Sequence, residues 1–127
     1  MRRVMIVCLL ALSVQGEAQE RFLVDWDTAG EEALNHLSEL VKIDTTNPPG
    51  NETQAAEYVK AVLGSEGIDS RLYTLEENRA SLVARIRGNG SKEPILIMGH
   101  TDVVGVQPEK WYADPFSGIR EDGYIYG

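Results

Sequence analysis

Ile95-Leu96-Ile97-Met98-Gly99-His100-Thr101-Asp102-Val103-Val104 is the stretch on which the reading of this chain turns. Ile95 to Met98 are apolar on both alternating faces, the pattern of a strand buried on both sides within a sheet. The run ends in a glycine and then His-x-Asp, so one of the chain's two histidines falls where a central strand would stop. Ligands of open α/β sheets bind at that edge. On extended backbone, residues i and i+2 face the same way. His100 and Asp102 are therefore expected on one cleft, with Gly99 letting the backbone approach closely. A neutral imidazole can ligate zinc, and a carboxylate on its other nitrogen fixes the tautomer and raises its basicity. Taken alone, the tripeptide is a weak signal and reads first as a hydrogen-bonded pair capping a strand end; the buried strand before it and Val103-Val104 after it shift the reading toward a site.

The residues before this stretch alternate between helix and strand patterns. Leu34, Leu37, Leu40 and Val41 recur at helical spacing, predicting an amphipathic helix over residues 29–42. Asp27 or Thr28 would cap it, with Glu31 and Glu32 in its first turn. His36 lies on a flank of the apolar stripe and reads as a half-exposed surface histidine. Asp44-Thr45-Thr46-Asn47-Pro48-Pro49-Gly50 cannot be helical, because the prolines remove donors and hold preceding residues extended. Asn51–Leu63 resumes helical periodicity through Ala55, Tyr58, Val59 and Val62, with Gly64 and Gly67 suited to its C-terminal end. Ile68–Leu75 and Ala80–Arg87 read as strands, and Gly88-Asn89-Gly90-Ser91 as a turn.

After the stretch, Trp111, Tyr112 and Phe116 are interleaved with Asp114-Pro115 and Gly118, a cluster suited to packing rather than to a substrate platform. Ile119–Tyr126 reads as a hairpin around Asp122-Gly123. The order helix, helix, strand, strand, strand, loop, hairpin predicts an α/β fold, a mixed sheet flanked by helices.

At 127 residues the chain allows one small domain. Hydrophobic residues at 43% and charged residues at 25% suit a soluble globular protein. The net charge is −8, and the basic residues are scattered singly among acids, which argues against nucleic acid or anionic lipid as partners. Arg2-Arg3, the uncharged and mostly apolar Val4–Val14, and the small residues Gly16 and Ala18 come in the order of an export signal, residues 1–18, cleaved after Ala18. A stable membrane span would need about 20 apolar residues. The expectation is therefore an exported protein, periplasmic or secreted, whose mature part is residues 19–127. A buried N-terminal helix is the plainer alternative. The only cysteine, Cys8, lies inside that segment, so the mature chain would form no disulfide.

The stretch from Ile97 to Val104 resembles the first signature of the co-catalytic zinc exopeptidases and amidohydrolases, the family of carboxypeptidase G, aminoacylase, acetylornithine deacetylase and succinyl-diaminopimelate desuccinylase. Asp44-Thr45-Thr46-Asn47-Pro48-Pro49-Gly50-Asn51-Glu52 is similar to that family's loop between its first two helices. Trp111–Phe116 and Asp122–Gly127 are similar to the segment after the signature. The resemblance implies that His100 is a metal ligand and that Asp102, the candidate catalytic residue, is the carboxylate that orients it. It further implies two zincs per complete site (cobalt or manganese also suiting such ligands), a peptide or N-acyl amino acid substrate cleaved at an amide bond, and a full-length homodimer.

The family's bridging aspartate follows shortly after the segment that here ends at Gly127. The expectation is an N-terminal portion of the catalytic domain, inactive by itself. Two zincs sharing a bridge need about five protein groups, and the resemblance assigns one here, His100. The alternative is a non-catalytic exported α/β remnant or binding module whose His-x-Asp pair is structural. Asn51-Glu52-Thr53 and Asn89-Gly90-Ser91 also fit the glycosylation sequon.

Overall fold

The computed structural model describes residues 23–127. The expected export signal, residues 1–18, and Cys8 lie outside the described residues. The architecture is small and α/β: α1 (Trp26–Val41), α2 (Glu52–Ser65), β1 (Ser70–Glu76), β2 (Arg79–Ala84), a 3-10 turn (Pro108–Lys110), β3 (Ile119–Glu121) and β4 (Tyr124–Tyr126).

Helix α1 starts earlier than its apolar stripe suggests. Its N-cap is Asp25, not Asp27 or Thr28. Asp25 Oδ1 accepts the Asp27 and Thr28 N–H groups at 3.2 Å, and the Thr28 hydroxyl donates to Oδ2 at 2.7 Å. Two orphan donors of the first turn and one hydroxyl are thereby satisfied by one carboxylate. The stripe of α1 is only partly covered, with Leu34 and Leu37 exposed. What α1 holds is the C-terminal hairpin. The Ser38 hydroxyl donates to the Gly118 carbonyl, and Arg120 reaches Asn35 Oδ1 and Glu31 Oε2, both at 3.0 Å.

Helix α2 packs on the β1–β2 ribbon, and the buried apolar residues are small: Ala55 and Ala56 from α2 and Ala80 from β2. Polar clamps complete this docking. The Thr53 N–H donates to Asn78 O at 2.9 Å, and the Ala80 N–H donates to Thr53 Oγ1 at 3.1 Å. Glu52, buried at the start of α2, takes the Arg79 guanidinium in a two-point grip at 3.0 and 3.2 Å. A buried carboxylate needs such a partner, because leaving it alone in a poorly solvated place is costly.

The strands differ from expectation in two respects. The predicted mixed sheet is instead two antiparallel two-stranded ribbons, β1 with β2 and β3 with β4. One isolated parallel bridge joins Thr46 to Val103. Ile95 to Met98 form no strand and are 82–91% exposed. A segment apolar on both faces becomes a central strand only with partners at both edges and layers on both sides. Among the described residues the two ribbons pair only within themselves, so nothing covers it. The hairpin turn is as expected: Asp122 and Gly123 have φ of 50° and 83°, the left-handed pair of a two-residue hairpin loop. Gly67, past the end of α2, has φ 70°.

Two outcomes follow from this packing. Gly118 has φ 59°, and a Cβ there would lie 2.5 Å from the Ser38 carbonyl oxygen. Gly118→Ala is expected to destabilise the fold by roughly 2 kcal/mol or more. Gly88→Ala, with nothing within 4 Å of the added carbon, serves as control. Equal unfolding midpoints for the two variants in urea would contradict this. The second outcome concerns pH. The Thr28 hydroxyl, with the Thr28 and Asp27 N–H groups, holds the Asp25 carboxyl below the usual carboxylate range. The cap therefore contributes its stability above the unfolded-state value and loses it as pH falls through the lower folded value. Asp25→Asn is expected to flatten the acid limb of a helicity-against-pH curve followed by circular dichroism. An unchanged acid limb would contradict the assignment.

Candidate functional site

The loop of residues 44–50 and the segment 101–103 are far apart in sequence and adjacent in space. The Asn47 N–H donates to Val103 O at 2.9 Å, and the Val103 N–H donates to Thr45 O at 3.3 Å. The hydroxyl of Thr45, a buried residue, donates to the Thr101 carbonyl. This lacing extends the backbone around Asp102, and it places His100 and Asp102 beside α2 and β2. All three elements line a groove of about 540 Å³ whose polar side chains include Glu52, Arg79, His100 and Asp102.

Within the groove the expected pair is formed. His100 Nδ1 lies 2.9 Å from Asp102 Oδ1 and 3.0 Å from the Asp102 carbonyl oxygen. Both neighbours are acceptors, so Nδ1 carries the proton. In the neutral ring Nε2 then keeps its lone pair, the form in which an imidazole can ligate a metal. The second carboxylate oxygen of Asp102 accepts from Asn47 Nδ2 at 3.2 Å. The Asn47 amide, and after it the His100 ring, hold the Asp102 carboxyl below the usual carboxylate range. Glu52 raises the Arg79 pKa above its ordinary value, chiefly by accepting the guanidinium hydrogen bonds, with smaller contributions from Glu76 and Asp102.

Three side chains fall outside the site. His36 is half-buried on α1, its Nδ1 2.8 Å from the Tyr58 hydroxyl and its Nε2 3.7 Å from Glu32, as suits a surface histidine. Asp114 turns the chain, Oδ1 accepting the Phe116 N–H at 2.9 Å. Trp111 lies in the loop that follows the site and is exposed, as is Tyr112, so the packing expected of this aromatic cluster is not seen at these two residues. Gly99 is not a point of close approach: a Cβ there would meet nothing within 4 Å. Residue order alone assigns no role in the pair to Asn47, Glu52 or Arg79. The one signal was that Asn47 and Glu52 fall inside the family-like segment 44–52.

The donor set bears on the implied metal. His100 fits as one ligand, with its ring proton held on the far nitrogen. Among the described residues, however, no three His, Cys, Asp or Glu side chains converge into a metal-holding group. The described residues therefore do not by themselves form a metal site. Among them, too, no helix is long and apolar enough to cross a membrane.

Comparison with known proteins bears on the class of this His–Asp site. No family model matches the chain. The chain is 36% identical over 99 residues to a probable succinyl-diaminopimelate desuccinylase of Staphylococcus epidermidis, an alignment covering 76% of this chain and 23% of that protein. The corresponding protein of Staphylococcus aureus is 35% identical over 99 residues, covering 76% of this chain and 24% of its own length. Human N-fatty-acyl-amino acid synthase/hydrolase PM20D1 is 32% identical over 103 residues, covering 78% of this chain and 20% of that protein. The printed names of these relatives are those of a desuccinylase and of an N-fatty-acyl-amino acid synthase/hydrolase. The chain belongs to the co-catalytic zinc exopeptidase and amidohydrolase family, and it spans 20–24% of the length of these relatives.

Proposed function

We propose that this chain is the N-terminal part of the catalytic domain of an exported metal-dependent hydrolase, exopeptidase or N-acyl amino acid amidohydrolase in type. His100 serves as one metal ligand and Asp102 as the carboxylate that orients it. The observation that carries this reading is the short contact from His100 Nδ1 to Asp102, which leaves Nε2 free. The relatives support the substrate class: their names describe removal of succinyl from succinyl-diaminopimelate and hydrolysis of N-fatty-acyl amino acids. Zinc is the proposed metal, and imidazole with carboxylate donors would also accept cobalt or manganese. When bound, such a metal polarises a carbonyl and lowers the pKa of its water. Homodimer assembly belongs to the same reading of the whole protein.

The chain's own contribution is positional. Asp102 keeps the ring proton on Nδ1 and the lone pair on Nε2, and α2 and β2 wall the groove beside it. With one ligand assigned and no converging group among the described residues, the 127 residues alone are proposed to be inactive. That shortage of ligands is also what favours the second reading, a non-catalytic binding module.

Two measurements test this. Isolated, the chain is expected to hydrolyse no N-acyl amino acid and to retain less than one zinc in equilibrium dialysis. The same sequence within a protein of its relatives' length is expected to hold about two zincs. There, hydrolysis should fall about 10–100-fold with Asp102→Ala and to background with His100→Ala. Hydrolysis unaffected by His100→Ala would leave the binding-module reading standing. Export through residues 1–18 predicts a mature N-terminus at Gln19 by Edman sequencing, and an intact Met1 in the exported protein would contradict it.

A further inference from the structure

We propose that Asn47 is a positioning residue: its side-chain amide, delivered by the loop between α1 and α2, holds the Asp102 carboxylate in the plane that keeps the His100 ring in its Nδ1–H form. The geometry stands independently of the hydrolase proposal; only the use of the free Nε2 rests on that reading.

A carboxylate held at one oxygen turns easily about its last torsion, which is broad and roughly two-fold. Asp102 is held at both. Oδ1 faces His100 Nδ1 at 2.9 Å, and Oδ2 accepts from Asn47 Nδ2 at 3.2 Å. The second grip matters because the pair is not sheltered: the His100 side chain is 85% exposed and that of Asp102 38%. An exposed imidazole–carboxylate contact is weak by itself and exchanges with water. The Asp102 carbonyl, 3.0 Å from Nδ1, is a second acceptor fixed by the backbone, whereas the carboxylate contributes to ring orientation only if it is itself anchored. Asn47 is so anchored, its own N–H donating to Val103 O at 2.9 Å. Its amide is oriented by chemistry, since only the NH₂ end can face a carboxylate oxygen.

The loop does not depend on this amide for its docking. With the Asn47 side chain removed, the Asn47 N–H to Val103, the Val103 N–H to Thr45 and the Thr45 hydroxyl to Thr101 all remain. Aiming the carboxylate and holding the loop are therefore separable.

Long-range ¹H–¹⁵N NMR of the 127-residue chain, at a pH where the imidazoles are neutral, reads the His100 tautomer directly and needs neither metal nor substrate. The wild-type ring is expected mainly as Nδ1–H. Asn47→Ala, and Asn47→Asp, which keeps the shape but replaces the donor with a second carboxylate, should each shift the tautomer ratio toward Nε2–H. A two- to tenfold shift, about what one hydrogen bond is worth, is expected. Thr45→Val, which breaks the hydroxyl bond to Thr101 and spares the Asn47 amide, should leave the ratio unchanged. His36, paired with Tyr58, reports folding in the same spectrum.

An Nε2–H wild type, an unmoved ratio in both Asn47 variants, or an equal shift in Thr45→Val would each overturn the proposal. Loss of the folded His36 signal in the Asn47 variants would overturn it as well, since the side chain would then hold the fold rather than aim a carboxylate. None of these outcomes depends on hydrolysis, so failure of the hydrolase reading is separately visible.

Discussion

The pairing of Thr46 with Val103 is the constraint on which the site depends. Both ribbons are local: β1 and β2 lie within fifteen residues of each other and β3 and β4 within eight. Each can close over a short loop at small entropic cost. The bridge instead joins segments more than fifty residues apart. It brings the proline-rich loop against the backbone that carries His100 and Asp102. Without it Asn47 could not reach Asp102, and the Thr45 hydroxyl could not reach the Thr101 carbonyl.

The remaining long-range links are also polar rather than apolar. Among the described residues the buried hydrophobic ones are three alanines, too small to hold the elements together by area alone. Docking of α2 on the β1–β2 ribbon is completed by Glu52 with Arg79 and by Thr53 with Ala80. Docking of α1 on the C-terminal hairpin is completed by Ser38 with Gly118 and by Arg120 with Glu31 and Asn35. Such contacts are directional, so they set orientation even where little surface is buried. One of them, Glu52 with Arg79, also lines the groove beside His100 and Asp102. The scaffold and the site thus share part of their charge network.

Much of this was legible from residue order. Helical spacing located α1 and α2, and Asp122-Gly123 located the hairpin turn, because these patterns depend on neighbours a few residues away. The His100–Asp102 pair was legible for the same reason, its two members being two residues apart on extended backbone. The N-cap at Asp25 was missed because the apolar stripe begins well after the helix does. Burial of Ile95 to Met98 was misread because burial belongs to what packs on a segment, and among the described residues nothing does.

The sequence by itself determined the two helices, the β1–β2 pair and the hairpin turn, the identity of the ligand-competent imidazole and its carboxylate, and, through motifs spread over the chain, the family. Only the tertiary structure decided that Asn47 grips the second oxygen of Asp102, that Glu52 and Arg79 share the groove, and that His36 stands apart with Tyr58. The physical reason is range. Helix and turn signals arise from bonds closed within a few residues, whereas the site is assembled by contacts across 27 to 58 positions, whose partners no local pattern specifies.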